Sequence, residues 1–272
     1  MSTEAHPFDA VAAEYDARFT ESRLGRWLRG SVRSHLTGLV RPGERALEIG
    51  CGTGEDALWL ARKGVRVVAT DASSAMLDVA ARKAATAGFG HRISFARLDL
   101  HEIGEREAED DGGSPSGPPY DFVLANFGVL NCLPDRRPLA GRLAEWLRPG
   151  GHVGVVLMSP TCPWEVAWHL AHGRPRSAVR RLRPGTRAHL GRGTTIQVWY
   201  PSPRRLAREF EPRFDLVRTV GIGALLPPSY LSGLVDRWPR LFAHVAAWDR
   251  RLGPRWPWTR LTDHYLAIYR RR

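Results

Sequence analysis

Three glycines at alternate positions follow a short apolar run in the first fifth of the chain: Gly50, Gly52 and Gly54 in "ALEIGCGTGEDALWLARKG". Glycines at the end of a buried strand let the backbone turn tightly and approach a ligand closely. Two acidic residues accompany them, with Glu48 just before the glycines and Glu55 just after. The spacing therefore predicts a ligand-binding turn with negatively charged surroundings.

Two classes of cofactor bind against such a turn. Dinucleotides use the spacing G-x-G-x-x-G and place their pyrophosphate at the N-terminus of the following helix. The spacing in this chain is G-x-G-x-G, and Glu55 stands where the dinucleotide pattern has its third glycine. The carboxylates of Glu48 and Glu55 would repel a pyrophosphate but attract a ligand that carries an ammonium and a sulfonium. The residues thus favour S-adenosylmethionine (SAM), which has no phosphate.

The elements that position this turn alternate between strand and helix patterns. Such alternation predicts a parallel sheet covered by helices on both faces, with the carboxyl ends of the strands at one edge. Two later strands complete the sheet. We expect an α/β fold with a doubly wound, seven-stranded, mostly parallel sheet, whose strands are residues 45–49, 65–70, 93–98, 120–125, 152–158, 214–223 and 263–271.

Five sequence blocks in order resemble the motifs of the class I SAM-dependent methyltransferases. The first is "LEIGCGTG", and the others are "VVATDASSAMLDVA", "ISFARLDL", "YDFVLANFGVLNCL" and "LRPGGHVGVV", which together cover about residues 45–158. The resemblance implies the seven-stranded Rossmann-like fold of that family. It also implies methyl transfer from SAM, with S-adenosylhomocysteine as the product and no metal ion.

The resemblance also assigns cofactor roles to residues that follow the predicted strands. Asp71 matches the acid that accepts both ribose hydroxyls, and Asp99 matches the residue that binds the adenine amino group. Cys51 lies in the glycine turn as a small residue, because no base is paired with it in the sequence. The remaining residues implied to contact SAM are Ala72, Met76 and Leu100 at the adenine, and Asn126 after the fourth strand.

The N-terminal stretch "FDAVAAEYDARF" resembles the leading helix of the small-molecule, ubiquinone/menaquinone-type members of the family. The resemblance implies that Tyr15 covers the methionine end of SAM. The alternative is a plain apolar stripe at helical spacing. We expect four parts: an N-terminal helical lid (1–44), the SAM-binding Rossmann-like core (45–159), a cap insert (160–202) and the C-terminal completion of the sheet (203–272) with a helical insert at 225–262.

The substrate and the catalytic base are less well defined by the sequence. Methyl transfer needs alignment and a water-poor site, and a base helps when the acceptor carries a proton. The fourth motif is "ANFG" instead of the Asn/Asp-Pro-Pro-Tyr run of enzymes that methylate exocyclic nitrogens, which favours a small organic acceptor, apolar or aromatic, methylated on O, N or C. Candidate bases are His169, His172 and His264, and candidate substrate contacts are Asn131, Trp164 and Trp168; surface or packing roles are the alternatives.

The basic charge of the chain leaves one alternative function open. The net charge is +12, and residues 160–272 hold 21 arginines against 7 acidic residues. Such a surplus is compatible with an RNA methyltransferase that uses its C-terminal half, or with another polyanion partner. A near-exclusive use of arginine over lysine is also typical of genome composition, and we expect a small-molecule substrate and no nucleic-acid partner. A SAM-fold protein without catalysis is a further alternative.

The same composition bears on localisation. Three cysteines without metal-ligand spacing fit a reducing cytoplasm. No apolar run is long enough to cross a bilayer, and the N-terminus has no secretory pattern. Residues 104–120, which combine acids with Gly, Ser and Pro, predict an exposed, mobile loop. The sequence makes no prediction of the oligomeric state.

Overall fold

A seven-stranded sheet forms the centre of the protein in the computed structural model, which describes residues 6–104, 117, 119–191 and 193–272. The strand order is β3-β2-β1-β4-β5-β9-β8, and β6 and β7 form a separate two-stranded sheet. The strands are β1 (Arg45–Ile49), β2 (Arg66–Asp71), β3 (Ile93–Arg97), β4 (Tyr120–Ala125), β5 (Leu147–Met158), β6 (Thr186–Gly191), β7 (Thr194–Val198), β8 (Phe214–Ile222) and β9 (His264–Arg271).

Strand direction in the large sheet confirms the predicted fold class. The pairs among β1 to β5 are parallel, whereas β9 pairs antiparallel with both β5 and β8. The chain leaves β1 towards β2 on one side, and β4 lies against β1 on the other. In an open parallel sheet such a reversal opens a crevice at the carboxyl ends of the two strands. The crevice of this protein therefore lies between the ends of β1 and β4.

Helices cover both faces of the sheet. Buried apolar residues of α1, α2, α8 and α9 pack on one face, and those of α4 and α7 pack on the other. Ser73 accepts a hydrogen bond from Met76 N at the start of α3, as its capping position predicts. The helices are α1 (Arg23–Leu36), α2 (Glu55–Arg62), α3 (Ser74–Thr86), α4 (Arg137–Trp146), α5 (Pro163–Ala171), α6 (Pro175–Ala178), α7 (Pro203–Phe210), α8 (Ser232–Arg237) and α9 (Pro239–Leu252).

The region between β5 and α7 differs from its predicted form. The sequence predicts two helices and one strand, whereas the structure adds β6, which pairs with β7 as an antiparallel hairpin. The second predicted helix is shortened to α6 and a separate helical turn at Arg180–Leu182. Arg181 explains the interruption, because its guanidinium enters a buried ion-pair network instead of following the helix surface.

The N-terminal stretch is likewise not the single helix that was expected. It forms a 3-10 turn at Asp9–Glu14 and a π-helical turn at Asp16–Thr20. Side chains of this stretch bind core residues beside the crevice, and these contacts override the helical pattern. In the described part of the chain, no helix has the length and apolarity needed to cross a membrane. The loop predicted at 104–120 lies largely outside the described residues.

Candidate functional site

The glycine turn after β1 has two tightly packed positions and one open position. Gly50, Gly52 and Gly54 all have positive φ, at 64°, 52° and 77°. A Cβ atom on Gly50 would lie 2.3 Å from Val129, and one on Gly54 would lie 2.8 Å from Ala80, whereas one on Gly52 would meet no atom within 4 Å. The turn therefore presents bare backbone to open space at Gly52 and is held in place by close packing on either side.

Asp71 lies directly beside the open position. Its Oδ2 accepts a hydrogen bond from Gly52 N at 2.8 Å, and its Oδ1 accepts one from Ser73 N at 2.9 Å. Burial raises the pKa of this carboxyl, although the backbone N–H donors oppose the shift. Each carboxylate oxygen has a second lone pair. Asp71 can thus accept two further hydrogen bonds from a ligand that lies over Gly52.

The second predicted acid belongs to the same edge of the sheet. Asp99 follows β3 and accepts a hydrogen bond from His101 N at 2.9 Å, while Leu100 packs against the core. Burial raises the pKa of the Cys132 thiol to about 11, and the charges of Asp71 and Asp99 add to the shift. Cys132 is the last residue of the 3-10 turn at Val129–Cys132, which follows β4. The sequence did not single out this cysteine, because nothing in its spacing distinguishes it.

The predicted adenine contacts lie between this edge and the N-terminal stretch. Met76 is buried and packs with Val11 and Ala12, which belong to the turn at Asp9–Glu14. Ala72 is half-buried and accepts a hydrogen bond from Arg97 Nε at 3.3 Å through its carbonyl. Met76 thus provides an apolar surface beside Asp71, and the backbone of Ala72 provides a polar one.

Two aspartates fasten the N-terminal stretch to the loops that follow β1 and β2. Asp9 accepts a hydrogen bond from Ser73 Oγ at 2.5 Å, and Asp16 accepts one from Thr53 Oγ at 2.6 Å. Tyr15 lies between the two aspartates in the chain. Burial raises the pKa of its hydroxyl, and Asp71 is among the nearby charges. The stretch thus covers the acidic edge and brings the Tyr15 ring towards it.

A buried carboxyl pair lies under the first turn of α2. Burial raises the pKa of Glu48 well above its usual value, and the neighbouring Asp56 adds to the shift. Although burial opposes ionisation of Asp56 as well, Arg29 and Arg33 hold its pKa below the usual range. Oε2 of Glu48 has no hydrogen-bond partner among the described residues. Glu48 is therefore a buried acid with an unused oxygen, beside a carboxylate that is fully engaged.

Asp56 connects three elements and was not found from the sequence. Its Oδ1 accepts from Arg33 Nε at 2.8 Å, and its Oδ2 accepts from Arg29 and from Asn126 Nδ2, the latter at 2.7 Å. Asn126, predicted to contact SAM, thus uses its amide N–H on Asp56 and its Oδ1 on Phe127 N. The sequence did carry one signal for this buried acid. Arg29 and Arg33 lie four residues apart on the otherwise apolar face of α1, and arginines on such a face need an acidic partner.

Cys51 behaves as a space-filling residue of the glycine turn. It is buried, and burial raises the pKa of its thiol well above the usual value. Its backbone N–H donates to Thr70 O at 2.8 Å and holds the turn against the neighbouring strand. A thiol with a raised pKa is a poor nucleophile, which agrees with the role predicted for this residue.

Aromatic rings line the crevice on the side of β4 and β9. Phe127 has a φ of 49°, and its ring lies 5.2 Å from that of Phe19 and 5.6 Å from that of His264. Nδ1 of His264 is 3.0 Å from Oδ2 of Asp263. This is an ion-pair distance, and Nδ1 has no hydrogen-bond partner among the described residues. His264 is the candidate base that the fold places beside the crevice.

A buried network attaches the region after β5 to this histidine. Arg181 donates to Asp263 Oδ1 at 2.7 Å and to Glu165 Oε2 at 2.8 Å. Glu165 also accepts from Arg180 at 2.7 Å. Burial opposes ionisation of Asp263, yet His264 and Arg181 hold its pKa well below the usual range. The network fixes the carboxylate that faces His264 and joins α5 to the edge of the sheet.

Asn131 and His172, a predicted substrate contact and a predicted base, do not have the surroundings that these roles require. Asn131 is fully buried, and its amide donates to Trp199 O at 2.6 Å and accepts from Met158 N at 2.9 Å. This amide is committed to the backbone, which does not support the predicted substrate contact. His172 is exposed, and its Nδ1 lies 2.8 Å from the carbonyl of Trp168 in its own helix. An exposed histidine bound to its own helix does not support a catalytic role.

Packing also accounts for the tryptophans and for His169. Trp164 donates from Nε1 to Leu225 O at 2.8 Å and its ring lies 6.5 Å from that of Phe242. Trp168 packs on the ring of His172 at 4.1 Å. His169 is stacked near Tyr230, and neither ring nitrogen has a partner among the described residues. Trp164 thus joins the two inserts, as the packing alternative predicts, and no contact brings Trp168 to the crevice.

Comparison with known proteins identifies the central region. Residues 47–153 match the family described as a methyltransferase domain. These residues form a class I methyltransferase domain. A demethylmenaquinone methyltransferase of Clavibacter sepedonicus is 32% identical over 151 residues, which are 54% of each chain. Methyltransferase GfsG of Streptomyces halstedii is 32% identical over 43% of this chain and 38% of its own. The predicted family is confirmed, and the match spans about half the length of these relatives or less.

Solved structures extend the likeness of the methyltransferase fold to nearly the whole chain. The CcbJ methyltransferase from Streptomyces caelestis superposes with a TM-score of 0.58 at 16% identity, covering 97% of this chain and 96% of its own. An S-adenosylmethionine dependent methyltransferase from Mesorhizobium loti gives 0.54 at 16% identity, with coverage of 90% and 100%. At such identities the likeness establishes the fold alone. The family implies SAM as the cofactor, and the open backbone at Gly52 beside Asp71 fits an adenosyl group without phosphate.

Proposed function

We propose that the protein transfers a methyl group from SAM to a small organic acceptor in the crevice between β1 and β4. One observation carries this proposal: the bare backbone of Gly52 faces open space next to the carboxylate of Asp71. A diol over that glycine would find two oxygen acceptors, whereas a pyrophosphate there would face the charges of Asp71 and Asp99. The arrangement suits a nucleoside whose sugar hydroxyls are free.

Several residues at the edge of the sheet would hold the cofactor. Asp71 would accept the ribose hydroxyls and Asp99 the adenine amino group, while Met76 and Leu100 supply apolar walls for the base. Glu48, with its unused Oε2, and Tyr15 would lie at the methionine end. When bound, SAM supplies a methyl group on a sulfonium that is already a good leaving group.

The chain itself supplies alignment and exclusion of water. The N-terminal stretch acts as the lid, because Asp9 and Asp16 tie it to Ser73 and Thr53 on the two sides of Asp71. The inserts at 160–202 and 225–262 form the cap, and Trp164 joins them. The lid and the cap would together enclose the cofactor and the substrate.

The acceptor is a small molecule with an apolar or aromatic body and a proton to lose. Phe19 and Phe127 would contact the body, and His264 would accept the proton, with the nearby carboxylate of Asp263 stabilising the imidazolium that forms. Two similar proteins carry the names demethylmenaquinone methyltransferase and methyltransferase GfsG, which agrees with this class. No observation on the described residues favours the RNA alternative.

Calorimetric titration of the whole chain with SAM and with S-adenosylhomocysteine tests the cofactor assignment. We expect both ligands to bind at one site, and we expect the Asp71→Asn variant to bind them more weakly than the wild type. The matched control is Asp78→Asn, because Asp78 is exposed on α3 and contacts neither the turn nor the crevice. Transfer of radiolabelled methyl from SAM to a panel of phenols, hydroquinones and aliphatic alcohols then tests the reaction. Failure of the wild-type chain to bind SAM would end the proposal.

A further inference from the structure

Helix α9 presents an apolar stripe to solvent. The stripe consists of Trp238, just before the helix, and of Leu241, Val245, Trp248 and Leu252 within it. Their spacing of three and four residues places them along one side of the helix. Trp238, Leu241 and Trp248 are 55%, 57% and 56% exposed. A stripe with two half-exposed tryptophans and a leucine is unusual for a surface that faces only water.

The neighbouring side of α9 is packed on the fold, so the stripe cannot turn inwards. Phe242 and Ala246 are buried in the core beneath the helix. Asp249 is buried, and its carboxylate accepts from Gly223 N at 3.1 Å and from Leu225 N at 2.8 Å. These contacts fix the rotation of α9 about its axis. The α9 stripe is therefore a permanent feature of the surface.

Within residues 237–260 every exposed charge is positive, and the exposed acid that precedes this segment, Asp236, lies 3.8 Å from Arg23. From residue 237 to residue 260 the only acid in the sequence is Asp249, which is buried. The guanidinium of Arg251 lies 5.7 Å from the ring centre of Trp248, so positive charge directly borders the apolar surface. The exposed basic residues of this segment are Arg237, Arg240, Arg250, Arg251, Arg255 and Arg260.

We propose that α9 docks the protein onto an anionic lipid surface. A helix with Trp and Leu on one side and arginines beside them lies in the interface of a bilayer, with its apolar side below the headgroups and its arginines at the phosphates. Tryptophan is particularly suited to that depth, because its ring is apolar and its N–H is polar. An RNA partner would use the arginines but leave the exposed Leu241 of the stripe without a contact.

Helix α9 packs against the cap insert that would cover the substrate. Phe242, on the buried side of α9, lies 6.5 Å from the ring of Trp164 in α5. Docking would therefore bring the cap insert close to the lipid surface. A lipophilic acceptor could then reach the cap without crossing water. The docking itself does not depend on the proposed methyl transfer.

Sedimentation of the whole chain with vesicles tests the proposal. We compare vesicles of phosphatidylcholine alone with vesicles that also contain phosphatidylglycerol at about one third of the lipid. We expect binding to the anionic vesicles that weakens as salt rises, with a blue shift of tryptophan emission. Leu241→Glu combined with Trp248→Ala should reduce the partition coefficient at least tenfold. The double variant Arg240→Gln/Arg251→Gln should show a smaller preference for anionic vesicles over phosphatidylcholine vesicles. The fraction of this variant that still binds should show the same blue shift of tryptophan emission.

Leu216→Glu is the matched control, because Leu216 is also an exposed leucine but lies on the outer strand β8. It should bind vesicles like the wild type, and all variants should keep the wild-type melting temperature within a few degrees, since the substituted side chains are exposed. Three results would overturn the proposal. These are no binding to anionic vesicles, equal binding by the Leu241→Glu/Trp248→Ala variant, or a wild-type dimer that the same variant converts to a monomer. Salt-sensitive binding of single-stranded RNA without vesicle binding would favour RNA instead.

Discussion

Asp56 accepts a hydrogen bond from Asn126 at 2.7 Å, and this contact joins the first turn of α2 to the end of β4 at the crevice. The same carboxylate pairs with the buried Arg29. Removing one member of a buried ion pair leaves the other charge without compensation. We therefore expect Asp56→Ala to lower the free energy of unfolding by about 3–5 kcal/mol, measured by urea denaturation.

The adjacent Glu55 provides the control for that measurement. Its side chain is partly exposed and lies 3.4 Å from Arg33 and 3.9 Å from Lys83. Exposed pairs contribute about 0–1 kcal/mol, so Glu55→Ala should change the free energy of unfolding by no more than that. Similar losses for the two substitutions would contradict the role given to Asp56.

Asp71 is expected to determine the affinity for SAM. Hydrogen bonds to a charged group contribute about 1.5–3 kcal/mol, so Asp71→Asn should raise the dissociation constant for SAM roughly ten- to a hundredfold. The Asp78→Asn variant should bind like the wild type. An unchanged dissociation constant in Asp71→Asn, measured by calorimetry, would mean that the ribose does not lie at this carboxylate.

The backbone architecture could be predicted from the sequence because it depends on local patterns. The apolar strands and the glycine turn predicted the sheet, and Asp71 and Asp99 were predicted at its carboxyl edge, where the structure places them. Asp56 and Cys132 could not be predicted in this way. Their environments are made by residues far away in sequence, such as Arg29 and Asn126, which meet only after the fold is complete.

The cap was the least predictable region for the same reason. Arg181 follows a helical pattern in the sequence but turns inwards to Glu165 and Asp263, which ends the helix. Asn131 resembled a polar residue that faces a substrate, yet its amide binds the backbone at Trp199 and Met158. Polar residues in such positions satisfy the backbone as often as they bind ligands, and the sequence does not separate the two roles.

Gly52 and Gly43 form a matched pair for testing the open position. Both have positive φ, at 52° and 86°, and at both an added Cβ would meet no atom within 4 Å. Each substitution by alanine should cost about 1–2 kcal/mol of stability, because of the left-handed backbone. Gly52→Ala should in addition abolish SAM binding, since its methyl group would project into the open space proposed for the cofactor, whereas Gly43→Ala should bind SAM normally. Normal binding by both variants would place the cofactor elsewhere.

Glu48 is expected to make stability depend on pH. Its pKa is raised in the folded state above the usual value of 4.5, first by burial and then by Asp56. A carboxyl with a raised pKa in the folded state stabilises the fold fully at low pH, and this contribution is lost as the pH rises towards the raised pKa. The free energy of unfolding of Glu48→Gln should therefore rise relative to that of the wild type as the pH increases from about 4.5 towards the raised pKa.

The matching measurement for Glu48 is urea denaturation across that pH range. Glu145→Gln is the control, because Glu145 is exposed on α4 and its difference from the wild type should stay constant with pH. A wild-type curve parallel to that of Glu48→Gln at every pH would show that Glu48 ionises normally in the folded protein.

His264 should differ from the other candidate histidines in its effect on catalysis. Its Nδ1 lies 3.0 Å from Oδ2 of Asp263, at the edge of the sheet that borders the crevice. Since general bases contribute about 10²–10⁴-fold, His264→Gln should lower kcat by that factor with KM and SAM affinity nearly unchanged. His172→Gln, at an exposed histidine, should leave kcat unaltered; equal losses would remove His264 as the base.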